Sequence, residues 1–172
     1  MFEPLEILRT LAKHDVEFIL VGGLSATIQG VALDTFDADV VHSRRPENVS
    51  RLLRALAELD AHYRTRSDRK LSPNESHLSS PGHQLLTTKY GVLDVLGAIG
   101  DGLSYEDLMG DSSPLEIAAG LHVRTLSLEK YVELKEKLNQ EKDRAALPLL
   151  RTALRAKREI ARAAASEEPL QD

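Results

Sequence analysis

Cysteine is absent from the 172 residues, which excludes a disulfide framework, a thiolate metal site and a thiol nucleophile. A reducing cytoplasm is the expected home. No apolar run approaches the roughly 18 residues of a membrane span. The opening Met1-Phe2-Glu3-Pro4 lacks the basic region of a secretory signal, so no membrane association is expected. Acidic residues outnumber basic ones, 27 to 22, for a formal net charge of -5. That balance gives no bulk attraction to polyanions, and any nucleic-acid contact has to rely on local patches. The chain also has no Walker A lysine motif and no G-x-G-x-x-G, so P-loop and Rossmann readings lose their main support. The six histidines show no His-x-x-x-His spacing. There is no internal repeat, and the only biased tract is the polar tail Ser166 to Asp172.

What is present is patterned. Leu5, Leu8 and Leu11 recur at helical spacing behind Pro4, predicting an opening amphipathic helix over residues 3 to 14. Phe18 to Val21 reads as a buried strand, Gly22-Gly23 as a turn, and Leu24 to Gln29 as a brief helix stopped by Gly30. A strand is predicted over Asp37 to Val41 and a helix over Pro46 to Leu59. Residues 62 to 82 are rich in Ser, Arg, Asn and Pro and read as a loop or irregular insert. Two apolar runs between 84 and 96, parted by Lys89-Tyr90-Gly91, predict a hairpin, and 115 to 125 a second short pair about Gly120. Ser127 is a good N-cap for a helix carrying Leu128, Leu134 and Leu138, and a last helical stretch near 143 to 165 is expected to break at Pro148. Strands interleaved with helices argue for an α/β (α+β) sheet domain over 1–126, followed by a helical segment with a polar tail over 127–172.

The chemistry concentrates on three aspartates. On an extended strand Asp37 and Asp39 share a face while Ala38 points into packing. Two carboxylates so close repel, and one must protonate or find a cation. Asp94 interrupts the apolar run Val92-Leu93-Asp94-Val95-Leu96, where an unpaired buried carboxylate would cost several kcal/mol. If the two strands are neighbours the three acids meet. Hard oxygen ligands suit Mg²⁺ or Mn²⁺, and two such ions can hold the attacking and leaving oxygens of an in-line displacement. Asp94 is also the natural base toward an attacking hydroxyl. Gly22 and Gly23 would let backbone N–H groups approach phosphate oxygens, with the Ser25 hydroxyl beside them. Each feature alone has a plain alternative: a tight turn for the glycines, a solvated strand end for Asp-x-Asp.

In combination, Val21-Gly22-Gly23, thirteen intervening residues, Asp37-Ala38-Asp39-Val40 and a later Asp94 resemble the polymerase-β-like nucleotidyltransferase superfamily. The likeness covers about residues 1 to 143 and is similar to small bacterial members, including those of abortive-infection and toxin-antitoxin systems. It implies a mixed sheet flanked by helices and transfer of a nucleoside monophosphate from an NTP to a hydroxyl, with release of pyrophosphate. It assigns triphosphate binding to Gly22 and Gly23, metal binding to Asp37 and Asp39, and metal binding with acceptor activation to Asp94. Gly23 departs from the serine of many relatives. Lys135 and Asp143 resemble a lysine and aspartate that toxin-like relatives carry, with Lys135 set to neutralise phosphate charge; a solvated helix face is the other reading. The acceptor, whether tRNA, protein or small molecule, is left open, and an antitoxin-like protein is an implied partner.

Two further patterns are basic. Arg44, Arg45, Arg51, Arg54, Arg64, Arg66, Arg69 and Lys70 either guide a nucleotide or RNA acceptor or form ordinary surface, with no interleaved aromatic beyond Tyr63. Arg151, Arg155, Arg158 and Arg162 share one helix face. Two alternatives to the enzyme remain. One is an inert nucleotidyltransferase fold acting as a binding partner in a defence or toxin pair. The other is a haloacid-dehalogenase-like phosphatase, whose nucleophile motif Asp37-Ala38-Asp39-Val40 also resembles; there the nucleophile should end an apolar strand, and Leu33-Asp34-Thr35-Phe36 is not one.

Overall fold

Period-two and period-3.6 segments alternate along the chain, and the computed structural model gathers them into one seven-stranded mixed sheet with helices on both faces. It describes residues 1–65 and 68–167; Arg66 of the basic run and the end of the polar tail lie outside the described residues. The strands are β1 (Phe18–Val21), β2 (Asp37–His42), β3 (His62–Tyr63), β4 (His83–Thr88), β5 (Gly91–Leu96), β6 (Ser112–Ala118) and β7 (Leu121–Leu126), in the order β3-β4-β5-β2-β1-β7-β6. The hairpins β4–β5 and β6–β7 are antiparallel, as is β1–β2, whereas β5 joins β2 and β7 joins β1 in parallel.

The helices are α1 (Pro4–Lys13), α2 (Gly22–Ile28), α3 (Pro46–Glu58), α4 (Glu75–Ser79), α5 (Tyr105–Leu108), α6 (Leu128–Leu138), α7 (Glu141–Arg144) and α8 (Leu147–Ser166). Alternation along the central strands sends their side chains into two separate cores. On one face Leu20, Ala38, Val40, Leu93 and Val95 pack with Ile7, Leu8 and Leu11 of α1 and Val49, Leu52 and Leu56 of α3. On the other, Ile19, Val21, Val41 and Leu96 meet Ala26 of α2, Leu128, Tyr131 and Leu134 of α6, and Leu147, Leu150 and Leu154 of α8. Burying each such leucine contributes about 1.5–3 kcal/mol, so the C-terminal helices are bound to the sheet by the same core that closes its second face.

Local signals explain most boundaries. Pro4 and Pro46 sit in first turns, where a missing N–H costs nothing. Ser127 caps α6 by accepting from the Lys130 N–H at 3.2 Å, and Asn139 ends it in the left-handed region, φ 42°. Three expectations are corrected. Gly22-Gly23 is the first turn of α2 rather than a separate loop, because Val21 serves both as the end of β1 and as the helix cap. The stretch 62 to 82 contains β3 at the sheet edge and the single-turn α4, capped where Asn74 Oδ1 accepts from the His77 N–H at 2.9 Å. Pro148 lies in the first turn of α8, so it starts that helix instead of interrupting one.

Candidate active site

The second face of the sheet carries the acids, and strand register puts them there. Asp39 is paired with Val21 of β1 on one side and with Asp94 of β5 on the other. Asp37 lies one pleat away on the same face, opposite Val92. The intervening Ala38 and Leu93 are fully buried on the far side. Asp37, Asp39 and Asp94 each offer a carboxylate oxygen within 4.8 Å of the others. Asp94 is only 9% exposed.

This crowding has an electrostatic cost. The Asp39 carboxyl is pushed up to about 7, first by burial and then by the negative charges of Asp37 and Asp94, with Lys135 and Arg64 pulling the other way. Asp94 is also raised, by burial above all, against the pull of the Arg64 guanidinium. A group of hard oxygens that holds its own proton near neutrality is a site that a divalent cation would relieve.

Gly22 meets the acids from the end of β1. Its φ of 71° is in the region that favours glycine, and an added Cβ would run into the Asp39 carboxylate. Only glycine fits there on both counts. At Gly23 the nearest atom to an added Cβ is Thr35 Oγ1 at 3.6 Å, ordinary contact, so a serine side chain would have room. Ser25 is fully buried and its hydroxyl donates to the Gly22 carbonyl at 2.7 Å, which fixes the glycine turn from behind. Lys135 comes from α6 on the other wall. Its Nζ donates to Asp143 Oδ1 at 2.9 Å and lies 5.5 Å from the Tyr131 ring centroid.

Two cavities open onto the acids. One, of about 290 Å³, lies between the sheet and α6 and is lined by Gly22, Asp39, Asp94, Tyr131, Leu134 and Lys135 among others. The second, of about 360 Å³, is bounded by Gly23, Thr35, Phe36, Asp37 and Arg64. Neither a protein-family model nor a curated protein matches the sequence. Solved structures do match its shape. A candidate nucleotidyltransferase from Thermotoga maritima is 22% identical, with 86% of this chain and 93% of that one covered and a TM-score of 0.55. The antibiotic-resistance enzyme ANT(2")-Ia, in complex with adenylyl-2"-tobramycin, is 17% identical over 92% of this chain and 91% of that one, TM-score 0.56. The lincosamide adenylyltransferase LnuA, lincomycin-bound, is 15% identical over 87% and 95%, TM-score 0.59. The fold is that of nucleotidyltransferases.

Within this nucleotidyltransferase fold the structure also brings to the acids residues that the sequence did not assign to them. Arg64 Nη1 lies 2.9 Å from Asp94 Oδ1, so one member of the basic run leaves the surface for the acid cluster. Several others go elsewhere: Arg45 and Arg51 to Glu17, at 2.6 and 3.7 Å, and Lys70 to Asp60 at 2.9 Å. Phe36, 75% exposed, stands directly before Asp37. On α8, Arg151 and Arg158 are tied to Glu136 and Glu129 of α6, at 2.9 and 3.1 Å, which accounts for half of that arginine face as a helix–helix brace.

Proposed function

We propose that the chain is a divalent-metal-dependent nucleotidyltransferase that moves a nucleoside monophosphate from an NTP onto a hydroxyl and releases pyrophosphate. The observation that carries the reading is the acid trio, three carboxylates within 4.8 Å on adjacent strands. Its all-oxygen donor set fits Mg²⁺ or Mn²⁺, and a bound cation would relieve Asp39, which burial and then the charges of Asp37 and Asp94 push up. Asp37, Asp39 and Asp94 would hold the metal, two ions in the full site. When bound, such ions act as Lewis acids toward phosphate oxygens.

The chain's own residues take the remaining parts. Gly22 and Gly23 leave the room for a triphosphate to lie against backbone N–H groups, with Ser25 bracing the turn, and Lys135 offers a positive charge from the opposite wall. Asp94 is the base: a carboxylate whose burial raises its proton affinity is suited to take the proton of the acceptor hydroxyl. The acceptor oxygen then bonds to the α-phosphorus, the bond from that phosphorus to the bridging oxygen breaks, and pyrophosphate leaves with the electron pair. The acceptor is proposed to be a small hydroxyl-bearing molecule, because both cavities are of small-molecule size and two of the structural neighbours are antibiotic adenylyltransferases. The phosphatase alternative needs a nucleophile at the end of an apolar strand, whereas Asp37 opens β2.

The test is incubation with each labelled NTP, Mg²⁺ or Mn²⁺ and a metabolite extract. Label should pass to a small molecule with stoichiometric pyrophosphate, and Asp37→Ala and Asp39→Ala should abolish both. Label on RNA or protein instead would overturn the acceptor class, and no metal-dependent NTP binding would overturn the enzyme.

A further inference from the structure

Arg64, the residue that follows β3, enters the acid cluster, and the chemistry above does not use it. Its backbone N–H donates to the Leu85 carbonyl at 3.1 Å, which sets it beside Leu85, and Leu85 is the register partner of Asp94. Arg64, Leu85, Asp94 and Asp39 therefore form one row across the sheet. The arginine spans the width of β4 to place Nη1 2.9 Å from Asp94 Oδ1, with the two side chains 32% and 13% exposed. Arg64 also lines the cavity that holds Gly23, Thr35 and Asp37. A guanidinium keeps its proton at any working pH. It can therefore give up Asp94 only by swinging away, and that cavity provides the space.

We propose that Arg64 is a positioning residue that holds a cation's place on Asp94 and is handed to an anionic group of the substrate when a divalent ion takes that carboxylate. The inference rests on the metal-dependent reading above. A divalent ion on Asp94 repels the guanidinium, and phosphate oxygens beside Gly23 attract it through paired N–H donors. An ion arriving alone must displace Arg64 with nothing to receive it; an ion arriving with a triphosphate does not. Metal and nucleotide thus bind cooperatively, each raising the other's affinity by the same factor.

The test follows free Mn²⁺ by electron paramagnetic resonance during titration of the wild type, Arg64→Gln and Arg64→Lys, with and without an α,β-methylene NTP. Arg64→Gln should bind Mn²⁺ alone about tenfold more tightly than wild type, and the gain in Mn²⁺ affinity that the analogue gives should shrink about tenfold. Arg64→Lys, which keeps the charge, should stay near wild type in the absence of nucleotide. In wild-type protein the Arg64 Nε resonance should shift on addition of Mg²⁺, which tests the handover without a substitution. Wild-type Mn²⁺ binding with no tightening in Arg64→Gln, or an unmoved Nε resonance, overturns the role of Arg64 and leaves the enzyme reading standing. No Mn²⁺ binding by any of the three proteins removes the metal-dependent reading and this inference with it.

Discussion

Replacing Asp39 with asparagine should make the metal-free protein more stable at pH 8 while removing its response to metal. The folded carboxyl sits at about 7 against an ordinary 3.8, so between those values the folded chain holds a proton that the unfolded chain has released, and above them it carries a charge that costs more folded than unfolded. Below about pH 4 both states are protonated and the group costs nothing. Between about 4 and 7 the folded state loses stability as pH rises, and above 7 the loss is complete. At about 1.4 kcal/mol for each tenfold in proton affinity, the gap is on the order of 4 kcal/mol; water in the adjoining cavity and the nearby Lys135 and Arg64 charges reduce it to about 2. For a chain of this size about 2 kcal/mol is a shift in Tm of about 4–8 °C. Thermal melts of wild type and Asp39→Asn in EDTA at pH 5 and pH 8 read this directly: the variant should gain about 4–8 °C at pH 8 and roughly a third of that at pH 5. Saturating Mn²⁺ should raise the wild-type Tm and leave the variant unmoved. A variant that is no more stable than wild type at pH 8, or equally stabilised at both pH values, would refute the reasoning.

Gly22→Ala should lose NTP binding and activity by at least about a hundredfold, because strain and the Asp39 collision act together, whereas Gly23→Ser should melt and bind like wild type; nucleotide titration distinguishes them. Lys135→Met strands the Asp143 carboxylate, 8% exposed, and should cost about 2–3 kcal/mol in urea unfolding. Asp143→Asn added to it should recover most of that loss. Phe36→Ala should leave the Tm unchanged, since the ring is 75% exposed, yet raise the acceptor KM if that ring forms a wall of the acceptor's cavity.

The site's acids were legible because each violates its own local pattern. A carboxylate between Leu93 and Val95 and two on one face about a buried Ala38 are hard to explain as packing, and strand periodicity alone fixes their common direction. The glycine pair was legible as a close approach, though not as a helix start, since Val21 is no ordinary cap. The contact of Arg64 with Asp94 was not legible. The partners are 30 positions apart in sequence, and the contact exists only because β3 pairs with β4 and β4 with β5. Likewise β3, of 2 residues, and α4, of 5, are too short to show a period, and tertiary context decides them. Pro148 is ambiguous in principle, because the same ring breaks a helix interior and suits a first turn.

The parallel seam between β2 and β5 has a consequence for quality control. Its residues come from segments more than 50 positions apart, so no hairpin turn pins their alignment. A slip of one position along that seam would flip residue 94 to the side packed under α1 and α3, exchanging an acid for a leucine in each layer. The oily side would reject the carboxylate and the acid cluster would lose a member. Faithful threading of the sheet and assembly of the acid cluster are thereby tied to one alignment, and a misthreaded molecule that lacks the cluster is also an unstable one.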